Sequence, residues 1–230
     1  MSETQTLQIR DSIRMTKNLP NYSSEFHNNI EKQISHLHNS IHLPEKNPER
    51  ALEDFALRYI DHVPNFIDAL RGLTKEAGIY EYTSIFLTIA EDFFTKPPEI
   101  VTKKNGLLGL LSQAFLAHRL IEEINDRVIA HCGIPLAPMD MTRANLIVHQ
   151  LLGEQYSNDL DFIVLYAIES HMDKENTIEN PAFHNFVEKH KRNGWSVELD
   201  RWPCLAENLS ININFEPEDQ EVAKPPETWH

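Results

Sequence analysis

Apolar positions recur along most of this chain at helical spacing. Between residues 23 and 42, Phe26, Ile30, Ile34, Leu37 and Ile41 step by four, four, three and four, which predicts an amphipathic helix capped by Ser23 or Ser24. At 47–48, Asn-Pro supplies an N-cap and a proline at the first helical position, with Glu49 and Glu53 early in the helix where the dipole favours acids. This helix is expected to bend or break before Pro64, because proline removes a donor and disfavours helical geometry at Val63. Thr74 is the predicted cap of the next helix, in which Ile79, Tyr82, Ile85, Phe86, Ile89 and Phe93 keep the period up to Lys-Pro-Pro at 96–98.

After a polar, proline-rich loop at 96–105, a helix is predicted from Gly106 to Cys132. Gly133 supplies its left-handed terminal residue, Ile134 the apolar contact that follows, and Pro135 the block. Asp140 caps a further helix that ends at Gly153, Ser157 caps one running on through 158–176, and Asn180 with Pro181 opens the last, closed by Gly194 and Trp195. The ends read differently. Leu209, Ile211, Ile213 and Phe215 alternate with polar residues as in a half-buried strand, for which Thr6–Arg10 is a short candidate partner.

The fold class predicted is all-α: a single-domain bundle of about seven helices over 23–195, between an N-terminal arm (1–22) and an extended, β-like C-terminal segment with an acidic tail (196–230). Scarce glycine, 7 in 230 residues, and 13 prolines set mostly between periodic segments fit helices with sharp stops. With 21 basic against 35 acidic residues and a formal charge of −14, nucleic acid and anionic membrane surfaces are excluded as general partners. Two cysteines, Cys132 and Cys204, and no apolar leader or spanning run lead to the expectation of a soluble, cytoplasmic protein with reduced thiols. The layout resembles ferritin-like and haem-oxygenase-like bundles in helix count and length alone, a likeness that carries no residue and no function.

Candidate chemistry gathers on the helix at 106–132. Leu110, Ala114, Ala117, Ile121, Ile124 and Val128 form its buried stripe, and His118, Glu122 and Asn125 flank it, about 100° around. On the next helix Asn145 and His149 form a similar flank. The short 133–139 loop makes the two helices an antiparallel hairpin, so heights can be compared: Glu122 lies roughly 15 Å and Asn125 roughly 10 Å from one end, His149 roughly 13 Å from the other, and Asp161 falls near the same layer. Glu122, His149 and Asp161 are therefore the candidate metal ligands, for iron, manganese or zinc, and His118, Asn125 and Asn145 the candidate cofactor-binding residues, because bundles hold metals through inward carboxylates and imidazoles.

Two other readings stand beside it. Glu-x-x-His pairs of the kind di-metal bundles carry are missing from the predicted helices, and the His-x-x-x-Glu pairs at 118/122, 171/175 and 184/188 are equally helix-surface pairs. Arg119, Arg127 and Arg143 can pair with Glu122, Glu123, Asp126 or Asp140 and make the region an architectural seam, which is the favoured single reading. His27, His36, His38 and His42 crowd the first predicted helix as a wet polar face. The function expected is binding of a metal ion or small molecule between helices, or else a non-catalytic interaction module with a protein partner.

Overall fold

A computed structural model describes residues 2–33, 41–44, 46–138, 141–171, 181–194 and 212–213. In chain order these form α1 (Ser2–Lys17), α2 (Ser24–Gln33), β1 (Ile41–His42), α3 (Pro48–Glu76), α4 (Tyr80–Thr95), α5 (Glu99–Thr102), α6 (Gly106–Cys132), α7 (Thr142–Leu152), α8 (Glu154–His171), α9 (Pro181–Asn193) and β2 (Asn212–Ile213). The architecture is all-α. Helix α6 is its axis, touching α1 to α5, α7 and α8, and it is buried nearly all round, from Leu107 and Leu111 to Leu120 and Ile124. The predicted bounds of this helix hold: Gly133 is left-handed at φ 75° and its N–H donates to the Ile129 carbonyl at 2.8 Å.

Of the bend or break expected before Pro64, the break does not occur: helix α3 runs on through Pro64 to Glu76. The missing amide leaves the Ile60 carbonyl without its helical donor, a defect of ~3 kcal/mol. Burial on both sides of it, by Phe55, Tyr59, Ile60, Val63, Phe66 and Ile67, outweighs that defect. The end of α3 also lies later than expected. Thr74 sits inside it as a buried residue, and the chain turns instead at Gly78, φ 71°. There the Ile79 N–H donates to the Thr74 carbonyl at 2.9 Å and the Gly78 N–H to Lys75 at 3.1 Å, the two bonds of a Schellman motif. Helix α4 accordingly begins at Tyr80.

Residues 6–10 are not a strand: they belong to α1, whose Ile9 and Ile13 enter the core. Helix α1 is fastened by a buried polar cluster. Arg71 of α3 is ion-paired with Glu91 of α4, and Thr6 of α1 accepts from Arg71 Nη1 at 3.1 Å and donates to Glu91 at 3.4 Å. The two-residue strand β2 pairs antiparallel with β1, Ile41 opposite Ile213, so the predicted first helix does not extend to 41–42. Ser157 is not a cap either, since α8 starts at Glu154 and the Ser157 hydroxyl donates to the His149 carbonyl at 2.8 Å. Asn47 precedes α3 in a left-handed conformation, φ 53°, with no side-chain capping bond. The expectations for His36, His38, Asp140, Asn180, Trp195 and the tail 216–230 fall outside the described residues.

The start of α6 depends on the lack of a side chain at one position. Gly106 has φ 56°, and a Cβ there would lie 2.0 Å from the Tyr22 carbonyl oxygen, the same oxygen that accepts from the Leu107 N–H at 2.8 Å. Gly106→Ala is therefore expected to lower unfolding free energy by ~2–4 kcal/mol, from left-handed strain plus the displaced hydrogen bond. Gly133→Ala, with open space around the added carbon, should show the strain alone. Urea midpoints measure both, and equal losses would contradict the close approach at Tyr22.

Candidate functional site

Four residues of α6, Phe115, Arg119, Glu122 and Asp126, step by four, three and four and share one face of the helix. That face lies against α7, which turns Thr142, Asn145, Leu146 and His149 toward it, and Asp161 of α8 closes one side. Together they line a cleft of about 350 Å³. Of the residues expected at one height, Glu122, His149 and Asp161 line this cleft, joined by Asn145, whereas Asn125 does not.

What joins them is Arg119, whose Nε donates to Asp161 Oδ1 at 2.9 Å while its Nη1 is hydrogen-bonded to Glu122 Oε2. Glu122 Oε2 also accepts from Asn145 Nδ2 at 2.6 Å, and Asn145 Oδ1 accepts from the Tyr59 hydroxyl at 2.6 Å. A continuous chain thus runs from Tyr59 through Asn145, Glu122 and Arg119 to Asp161. His149 stands beside it, Nε2 3.2 Å from Asn158 Oδ1 and 4.0 Å from Asp161 Oδ2, with its ring edge-on to Phe115.

Each shift in proton affinity has a physical cause in this arrangement. Burial, reinforced by the Glu122 charge, holds the Tyr59 phenol well above its ordinary value, so it serves as a donor. Burial works against the Arg119 guanidinium, but the Asp161 hydrogen bond and the two carboxylate charges outweigh it and lock the cation in place. Asp126 is raised by burial and then by Glu122 and Glu123, with Arg119 opposing. It makes no ion pair with another described residue.

The expected metal centre is not the arrangement found. Arg119 occupies the space between the Glu122 and Asp161 carboxylates where a cation bound by both would sit, and no group of three or more His, Cys, Asp or Glu is placed to hold a metal among the described residues. His118 and Asn125 lie elsewhere. His118 is fully buried against α3, its Nε2 donating to the Tyr59 carbonyl at 3.0 Å and its ring stacked on His62. Asn125 Oδ1 accepts from the Ala137 N–H at 3.0 Å and so pins the loop between α6 and α7. Neither lines the cleft.

Of the partners expected for Arg119 and Arg127, Glu122 pairs with Arg119 and Glu123 with Arg127, both within α6 rather than across to α7, and each arginine also reaches α8: Arg119 to Asp161, and Arg127 to Glu169 at 2.7 Å. His184 and Glu188 are exposed, in keeping with a helix-surface pair. A larger hollow, about 750 Å³, adjoins Tyr22, His27 and Glu53, but Glu53 is already taken by the Tyr22 hydroxyl at 3.0 Å and by His27 Nε2 at 3.0 Å. No known family, curated protein or solved structure matches the chain.

Proposed function

We propose that this protein is a binding protein whose α6–α7–α8 cleft takes the charged end of a small organic cation, an ammonium or guanidinium group on a short apolar body. The observation that carries the reading is the charge of the cleft: Glu122, Asp126 and Asp161 line it against one permanent cation, Arg119. Arg119 satisfies one oxygen of each of its two partners, which leaves Asp126 and the remaining lone pairs of Glu122 as acceptors. Phe115 and Leu146 supply apolar wall, and the volume lies within the ~300–1,000 Å³ of small-molecule sites. The preset chain from Tyr59 to Asp161 holds the Glu122 carboxylate before any ligand arrives, which lessens the ordering that binding requires. Cys132 is a free thiol, which accords with a reducing, cytoplasmic setting.

Putrescine, agmatine and choline are suitable probes, because they present a primary ammonium, a guanidinium and a quaternary ammonium in turn. At least one is expected to raise the melting temperature in proportion to the logarithm of its concentration, by ~3 kcal/mol of stabilisation at a hundredfold excess over Kd. Asp126→Asn, an exposed change, should weaken binding about tenfold at low salt, and added salt should weaken it further. Stabilisation by zinc or manganese that is lost in His149→Ala, with no response to any amine, would give the cleft to a metal instead.

A further inference from the structure

Helix α8 is apolar on two sides, and the fold accounts for one of them. Leu160, Val164 and Ile168 enter the core. On the opposite side Phe162 and Tyr166 are 71% and 77% exposed, and Leu165 beside them is 39% exposed. Their spacing of three and four makes one continuous stripe. Single exposed apolar residues are ordinary, whereas a stripe with two aromatic rings on one helix marks a contact surface.

The charges around the stripe indicate what it contacts. Helix α8 carries Glu154, Asp159, Asp161 and Glu169 and neither lysine nor arginine. The stripe also adjoins the cleft. Asp161, which lines the cleft, immediately precedes Phe162, and Asn158, one turn before Phe162, is hydrogen-bonded to His149 in the cleft wall. Leu146, 41% exposed, adds apolar surface at the cleft itself.

We propose that this face of α8 docks a basic amphipathic helix of a partner protein. The apolar side of that helix covers Phe162, Leu165 and Tyr166, and one of its lysine or arginine side chains enters the cleft toward Asp126 and Glu122. The inference rests on the cation-binding reading of the cleft and names a protein side chain as the source of the cation. A second copy of this chain is a poor occupant: paired α8 helices would set Asp159 against its equal on a molecule of formal charge −14. A basic segment meets the same charges with the opposite sign, as in other recognition by a helix laid on an apolar face.

The test uses the full chain and a fluorescent synthetic leucine–lysine helix of about 18 residues, five turns long. A scrambled peptide of the same composition is the control. The ordered peptide is expected to bind in an anisotropy titration and the scrambled one more weakly. The double variant F162S/Y166S, whose substitutions are on the surface and should leave the melting temperature unchanged, should weaken binding about tenfold or more while leaving small-amine binding intact. Asp126→Asn should weaken the peptide and the amines together. Peptide binding indifferent to F162S/Y166S would overturn the docking face while amine binding upheld the cleft. Amines that fail to bind while the peptide ignores Asp126→Asn would overturn the cleft and the insertion with it. A concentration-dependent dimer in sedimentation, abolished by F162S/Y166S, would assign the face to a second copy and overturn the proposal.

Discussion

Glu91→Ala is expected to destabilise the bundle by ~3–5 kcal/mol, the largest effect of any single change outside the apolar core. Glu91 is 1% exposed and its partner Arg71 7%, so deleting the carboxylate leaves a guanidinium in the interior with Thr6 as its remaining buried partner. Arg71 Nε already has no partner, which leaves little local capacity to absorb a second loss. Asp68 also pairs with Arg71, at 2.9 Å, but is 44% exposed, and water can replace it; Asp68→Ala should lose ~0–1 kcal/mol. Because Thr6 joins α1 to the pair, the Glu91 variant should also expose α1 amides to hydrogen exchange ahead of those of α6. Urea unfolding measures the first effect, and a Glu91→Ala loss no larger than that of Asp68→Ala would show that the pair does not anchor α1.

Acid gives the second large effect. Burial pulls His118 down to about 3 and His62 down to about 4, from an ordinary 6.5, and each ring has a buried Nδ1 with no partner. Between those values the unfolded chain holds protons that the folded chain refuses, so stability is full above 6.5 and falls as the pH is lowered toward the folded values. From pH 6.5 to about pH 5 ordinary carboxylates stay largely ionised, and the two histidines alone should remove ~3 kcal/mol. His62→Phe should flatten about half of that slope, and His118→Gln, whose amide can still donate to the Tyr59 carbonyl, the other half. A slope over this window unchanged by both substitutions would mean that other groups carry it.

Elements with both ends punctuated were legible in the sequence. Pro48 starts α3 as expected, and the Gly-Ile-Pro string after Cys132 ends α6 where expected. The same stop signal was present in Ala77-Gly78-Ile79, but Thr74 offered a plausible cap a turn earlier, and the choice depends on which carbonyls the Gly78 and Ile79 amides reach. The hidden helix α1 has a physical reason too. Its inward positions, Thr6, Ile9 and Ile13, include a threonine held by Arg71 and Glu91, so its buried stripe is partly polar and its period looks weak from hydrophobicity alone.

The site was half legible for a related reason. Helical rise and short loops suffice to bring Glu122, His149 and Asp161 to one height, since backbone geometry sets that height, but they do not tell that Asn125 turns to the next loop instead. They do not reveal where a long side chain ends. Arg119 was legible as a pairing residue, yet its position between two carboxylates on different helices depends on the reach of its guanidinium, and that position sets a fixed cation between Glu122 and Asp161. His118 shares a helix flank with Glu122 but turns to the Tyr59 carbonyl, beside the turn of α3 that Pro64 deprives of a donor.

The most direct test of the cation-binding cleft is a titration of the isotope-labelled protein with agmatine, followed through the side-chain N–H signals of Asn145 and Arg119. Saturable shifts of both signals, with the His118 ring signals unmoved and the response weakened in Asp126→Asn, are the result predicted. Shifts that never saturate, or that spread over the acidic surface and leave Asn145 and Arg119 in place, would contradict it.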